Sequence, residues 1–280
     1  MGKVALLTGG SSGIGLALAE IMIKDHYSVV IIARDEEKLE VAKRSLLSIA
    51  PEGSSVMAIA ADVTDEAQVI RAINKTLDTF GRIDWLVCSA GASYPGYFED
   101  QTDTVFRKTF EVNFFGIVNT VRHVLSGMKH RRQGNIVLIS SGAAIFGIFG
   151  SASYSSSKFA LSGFAEVLRS ECKPFGIVVS LALPPDTDTP MYQRNKDLKP
   201  PETQVLMASA GTHSAQKVAR SIYRGAQVGL FAISTGFRLN FLQRMKSLIY
   251  PLIFKWGDNK IRQEMERRHA EHHNDHPHHH

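Results

Sequence analysis

The chain has 280 residues, 44% hydrophobic and 21% charged, enough to bury one large core and too apolar for a disordered tail protein. Two cysteines, Cys88 and Cys172, exclude a disulfide framework and a metal-ligand cluster and fit a reducing compartment, so no metal site is expected. The formal charge of +5 is uneven: residues 238–268 carry eight Lys or Arg against three Asp or Glu, which describes a C-terminal basic patch and not a nucleic-acid-binding domain.

In chain order, the first apolar run, "VALLTGG", starts at Val4, so no signal peptide is expected. No run approaches the roughly eighteen uncharged residues a membrane-spanning helix needs. "KVALLT" is followed by the helical pattern "GIGLALAEIMIKD", "SVVIIA" by "DEEKLEVAKRSLLSI", and "SSVMAIAA" by "DEAQVIRAINKTLDTF". Then come "DWLVCSAG", a long helical stretch from Thr102, "GNIVLISS", a helix holding Tyr154, "GIVVSLALPP", "SAQKVARSIYRGAQ" and "LFAIS". Continuous apolar strands separated by helices predict a parallel sheet covered on both faces. The expected fold is α/β, a Rossmann-like, doubly wound, mostly parallel seven-stranded sheet forming one catalytic domain over residues 1–235. Residues 236–270 read as a basic amphipathic extension, and the histidine-rich 271–280 as a possible tag remnant without function.

"TGGSSGIG", Thr8–Gly15, lies between the first strand and the first helix. Glycines suit a tight turn whose backbone approaches a pyrophosphate, and the helix start aims amide N–H groups and a positive dipole end at phosphates. Gly9, Ser11, Ser12, Gly13, Ile14 and Gly15 are therefore candidate cofactor residues. The second strand ends "VVIIARDEEK", with small Ala33 where an NAD enzyme would place an acid and Arg34 next to it. That favours NADP(H), with Arg34 and Lys38 as cations for a 2′-phosphate. The alternative is that Arg34 is a solvated surface charge and Asp35 a helix cap. Asp62 ends the third strand, and with Val63 it is a cofactor candidate: Asp62 could accept from an adenine amino group, the alternative being a helix-capping role for the neighbouring "TDE". Ala90 and Gly91 could bring bare backbone against the adenosine.

Tyr154 and Lys158 in "SASYSSSKFALSG" share a helix face at i and i+4. Together with "TGGSSGIG" and the intervening strand, "YSSSK" resembles the short-chain dehydrogenase/reductase family over about residues 3–235. The resemblance implies Tyr154 as the general acid on a carbonyl oxygen, and Ser141, ahead of Ser140, as a hydrogen-bond donor to that oxygen. It implies Lys158 as the holder of the nicotinamide ribose, lowering the tyrosine pKa. It implies Asn113 as the residue placing a water that links Lys158 to solvent. The small serines 155–157 are expected to make room for the cofactor. The family's Asn-Asn-Ala-Gly is here "CSAG", so a strand tie is missing and some stability cost is expected, with Cys88 a small buried hydrophobe.

After the sixth strand the chain reads "LPPDTDTPMY", a second proline replacing the family's glycine, with Pro184, Thr187 and Thr189 implied at the nicotinamide. "PPDTDTP", "IFGIFGSASYSSSKFAL" and "ECKPFGIVVSLA" look like the 3-ketodihydrosphingosine reductases, enzymes that reduce 3-ketosphinganine with NADPH. A long-chain keto lipid substrate is implied, with reduction of another bulky β-keto lipid, acyl thioester or steroid, or cofactor sensing without turnover, as alternatives. The family also implies a homo-oligomer, dimer or tetramer, and a mobile lid over about 190–213. Tyr94, Tyr97 and Phe98 are candidates for the mouth of an acyl-chain site, or equally a cover over the core. "FRLNFLQRMKSLIYPLIFKW", 237–256, has four cations and no acid, so it suits peripheral contact with a membrane from the cytoplasm or, equally, packing on the core or a partner. Pro251 is expected to bend or interrupt a helix there.

Overall fold

The computed structural model describes residues 2–208 and 211–274, so residues 275–280 of the histidine-rich tail lie outside the described residues. The first half runs β1 (Val4–Thr8), α1 (Gly13–Lys24), β2 (Ser28–Ala33), α2 (Glu36–Leu47), β3 (Val56–Ala60), α3 (Glu66–Phe80) and β4 (Trp85–Cys88). Then α4 (Asp103–Phe110) passes through a π-turn, Glu111–Phe115, into α5 (Gly116–Arg131). After it come β5 (Gly134–Ile139), α6 (Ala152–Cys172), β6 (Ile177–Leu183), β7 (Thr187–Asp188), α7 (Pro190–Asn195) and α8 (Pro201–Met207). The chain closes with β8 (His213–Ser214), α9 (Ala215–Gln227), β9 (Ala232–Ser234) and α10 (Phe237–Asn274).

Seven strands form one sheet in the order β3-β2-β1-β4-β5-β6-β9, and every pairing in it is parallel. The order reverses at β1, where the chain leaves for the other half of the sheet, and such a switch point opens a crevice at the strands' carboxyl ends. Strand alternation explains why the strands are apolar throughout. Leu6, Val30, Leu86 and Ile136 face Ile73, Ile117 and Leu161 on one side. Their neighbours Leu7, Ile31, Val87 and Val137 face Leu18, Leu39 and Ile222 on the other. Cys88 is part of this core, and burial pushes its thiol up to about 12, which makes it a packing residue. The tie between β1 and β4 that the missing asparagine would make is left to backbone: the Ser89 amide donates to Thr8 O at 3.1 Å.

Residues 190–208 carry two short helices: α7 has Pro190 at its start, where the lost N–H costs nothing, and Thr189 caps it through the Tyr192 amide. β7 and β8 pair in a small parallel ribbon that anchors both ends. α10 continues through Pro251 as one helix, so the expected interruption does not occur. A proline removes one backbone hydrogen bond, and the helix is held to the rest of the chain before it by Leu239 and Tyr250 and after it by Arg268 on Glu202.

Candidate active site

The carboxyl ends of the central strands open on a cleft of about 370 Å³. Gly9, Ser11, Ser12, Gly13, Ile14, Arg34, Lys38, Asp62, Val63, Ala90 and Gly91 line it together with Ser141, Tyr154, Lys158, Pro184, Thr187 and Thr189. Gly15 and Asn113 stand behind this wall.

The glycine turn is built by contact. Gly9 has φ +68°, and a Cβ there would lie 2.7 Å from the Ala90 amide nitrogen. A Cβ on Gly15 would lie 2.3 Å from Gly9 O, so α1 rests directly on the turn. Gly15 is thus a packing glycine, which is why it misses the cleft. Ser12 makes no side-chain cap on α1, so the first-turn amides meet the cleft with the positive end of the helix dipole. Close backbone and an uncapped helix start fit the pyrophosphate of a dinucleotide.

At the end of β2, Arg34 reaches over the cleft, its side chain 64% exposed, with Nη1 3.6 Å from Asp62 Oδ2. Lys38 is differently placed: Asp35 accepts from the Lys38 amide at 3.0 Å, capping α2, and also binds its ammonium. Of the two expected cations, only Arg34 stands clear of a sequence-local carboxylate. Asp62 Oδ1 accepts from the Thr64 amide at 2.9 Å and hydroxyl at 2.8 Å, while Asp65 caps α3.

α6 presents Tyr154 and Lys158 side by side, the ammonium 5.7 Å from the tyrosine ring centre. Lys158 is 3% exposed and its Nζ donates to Ile139 O at 2.9 Å. Burial pulls its pKa down to about 8. Burial raises the Tyr154 pKa and Asp186 adds to the rise, while the neighbouring Ser141 hydroxyl pulls it down. The expected lowering of the tyrosine pKa is therefore reversed in this arrangement, because desolvation disfavours phenolate.

One expectation about the surroundings also changes. Ser155 accepts from the Ile148 amide at 3.2 Å, and Ser157 donates to Tyr154 O at 2.7 Å. Neither lines the cleft, so these serines fasten α6 rather than vacate space. The Asn113 side chain accepts from the Ala92 amide at 2.8 Å and donates to Ala92 O at 2.9 Å and Ser157 Oγ at 3.0 Å. With those bonds made it ties the loop after β4 to α6 from the π-turn, and its side chain does not reach the cleft. Thr187 donates to Pro185 O at 2.7 Å, and Thr189 is engaged as the α7 cap.

Tyr94, Tyr97 and Phe98 do not line the cleft. Tyr97 instead donates to Glu202 Oε2 at 2.9 Å and meets Phe149 edge-on, while Phe98 is exposed. Unforeseen members of the wall are Asp186, Tyr192 and Lys199. Asp186 and Lys199 are thirteen residues apart and meet at 2.9 Å, a pairing that no local spacing signals.

A parallel sheet with a dinucleotide-fitting cleft that ends on a tyrosine beside a buried lysine defines a nicotinamide-dependent oxidoreductase. The chain belongs to the short-chain dehydrogenase/reductase family, matching the family model "short chain dehydrogenase" over residues 3–199. It is 40% identical over 237 residues to "3-dehydrosphinganine reductase" of Danio rerio, covering 84% of this chain and 71% of that protein. It is 34% identical over 272 residues to "3-ketodihydrosphingosine reductase" of Dictyostelium discoideum, covering 92% and 81%. Among solved structures it is similar to levodione reductase, with TM-score 0.76 and 28% identity over 83% of this chain and 95% of that one.

Proposed function

We propose that the protein reduces the 3-keto group of 3-ketosphinganine to sphinganine with NADPH, using Tyr154 as proton donor. The observation that carries the chemistry is that Ser141, Tyr154 and the buried Lys158 meet at one cleft. The relatives named for this reaction support the substrate. Arg34 over the cleft, with no acid at Ala33, supports NADP(H).

When bound, the nicotinamide supplies the hydride. The chain's own residues handle the oxygen. A phenol held above its ordinary pKa keeps its proton at neutral pH and delivers it to the oxygen as negative charge develops there. Ser141 donates a hydrogen bond to the same oxygen. Lys158, at about 8, is mostly charged at neutral pH and stabilises the phenolate left behind. Asn113 and Ser157 hold the helix and loop that fix this geometry. The reading includes peripheral membrane contact through α10, since a long-chain substrate stays in a bilayer.

The test is NADPH oxidation with 3-ketosphinganine in mixed micelles, beside a short β-ketoester, for the parent and Tyr154→Phe. Turnover favouring the long-chain base and falling roughly 10²–10⁴-fold in the variant is expected. Turnover of the ketoester alone would overturn the substrate, and an active Tyr154→Phe would overturn the proton donor.

A further inference from the structure

Asp186 and Lys199 form an ion pair inside the cleft that the mechanism leaves unused. Asp186 Oδ2 lies 2.9 Å from Lys199 Nζ, their side chains are 26% and 19% exposed, and both line the cleft with Tyr154 and Ser141. Asp186 sits on a stiff support. It follows Pro184 and Pro185, and its carbonyl accepts from the His213 amide at 3.0 Å beside the β7–β8 ribbon. Lys199 comes from a different segment, the link between α7 and α8, with its ammonium 4.9 Å from the Tyr192 ring centre. A fixed carboxylate is thus covered by a long, flexible lysine carried by a separate segment, and a lysine ammonium is a replaceable partner.

The proposed substrate carries its own ammonium on the carbon next to the keto group. We infer that Asp186 is the specificity residue for that ammonium, which takes the place of Lys199 Nζ on the carboxylate when the keto oxygen meets Tyr154 and Ser141. This inference rests on the function proposed above. The exchange leaves one cation on Asp186 before and after, so the carboxylate is never buried unpaired. A neutral β-keto lipid has no group to replace Lys199 and gains nothing at this point. Displaced, Lys199 frees the α7–α8 link from β7, so substrate binding also loosens the segment over the cleft.

Soluble short-chain product analogues separate this inference from the reaction itself. Calorimetric titration of 2-aminooctane-1,3-diol and octane-1,3-diol into the NADP-loaded protein should show the amine binding roughly tenfold or more tightly. In Asp186→Asn that ratio should collapse toward one, and in Lys199→Met it should widen, because the carboxylate then waits without a competitor. Nucleotide affinity measured in the same titrations shows that each variant keeps its cleft. A ratio near one in the parent, or a parental ratio retained in Asp186→Asn, would overturn the inference. Absence of 3-ketosphinganine turnover with the amine preference intact would instead count against the function while leaving Asp186 as an ammonium site.

Discussion

Lys158 carries two roles with opposite energetic signs. The proposed mechanism needs its ammonium beside Tyr154, yet burial holds the folded-state pKa near 8 against an ordinary 10.5. Between those two values the unfolded chain binds more protons than the folded one, so stability rises with pH across that window. Lys158→Met should therefore abolish turnover while raising the melting temperature relative to the parent at pH 7, and the gain should shrink from pH 8 to pH 10.5. A gain that does not change with pH would show that the buried charge is not its source. Arg34 lies at the other end of the cleft, where the proposed NADPH preference rests on its charge. Arg34→Ala should weaken NADPH binding roughly tenfold relative to NADH, measured by fluorescence titration. An unchanged ratio would remove Arg34 from the nucleotide preference.

Elements impose tighter limits than single side chains. The turn between β1 and α1 works because two glycines let backbone meet backbone, and Gly15→Ala would drive a methyl to 2.3 Å from Gly9 O. We expect a loss of about 1–3 kcal/mol of stability and weaker NADPH binding, read by thermal melting with and without nucleotide. Gly163→Ala is the contrast: it sits on α6 with nothing within 4 Å of its Cβ, and should gain up to about 1 kcal/mol. Equal effects at the two sites would refute the packing account. α6 also shows where short-range reading succeeds and fails. Tyr154 and Lys158 were legible because helical periodicity alone puts them on one face. Ser155 and Ser157 were misread as empty space, since a small side chain looks the same in sequence whether it borders a cleft or hydrogen-bonds behind it.

At the scale of the molecule, α10 is two-sided. Leu239 and Tyr250 pack inward, the Tyr250 ring tilted against Phe146 at 5.5 Å, while Leu248 and Leu252 are 73% and 68% exposed beside Arg244 and Lys255. Farther on, Arg268 reaches back to α8, 3.3 Å from the buried Glu202 carboxylate and 3.1 Å from Tyr97 Oη. The helix is thus joined to the segment over the cleft and keeps an apolar, basic face outward. Among the described residues, no helix is long and apolar enough to cross a membrane. The exposed face suits shallow insertion into anionic lipid. The protein should co-sediment with phosphatidylserine vesicles in low salt, and Leu248→Asp with Leu252→Asp should abolish this. Sedimentation that is absent in the parent, or unaffected by the pair, would exclude the face.

The sequence by itself determined the order of the seven strands of the main sheet, the glycine turn, and the residues that meet along one helix face or follow one strand end. These are written in periods of two and 3.6 residues and in short spacings, which any chain of that pattern obeys locally. Only the tertiary structure decided that Asp186 meets Lys199, that Glu202 meets Arg268, that Asn113 spends its amide on Ala92, and that burial lifts the Tyr154 phenol. Each of these depends on segments brought together by packing of the whole core and on water excluded there, and neither quantity is a property of a short stretch of chain.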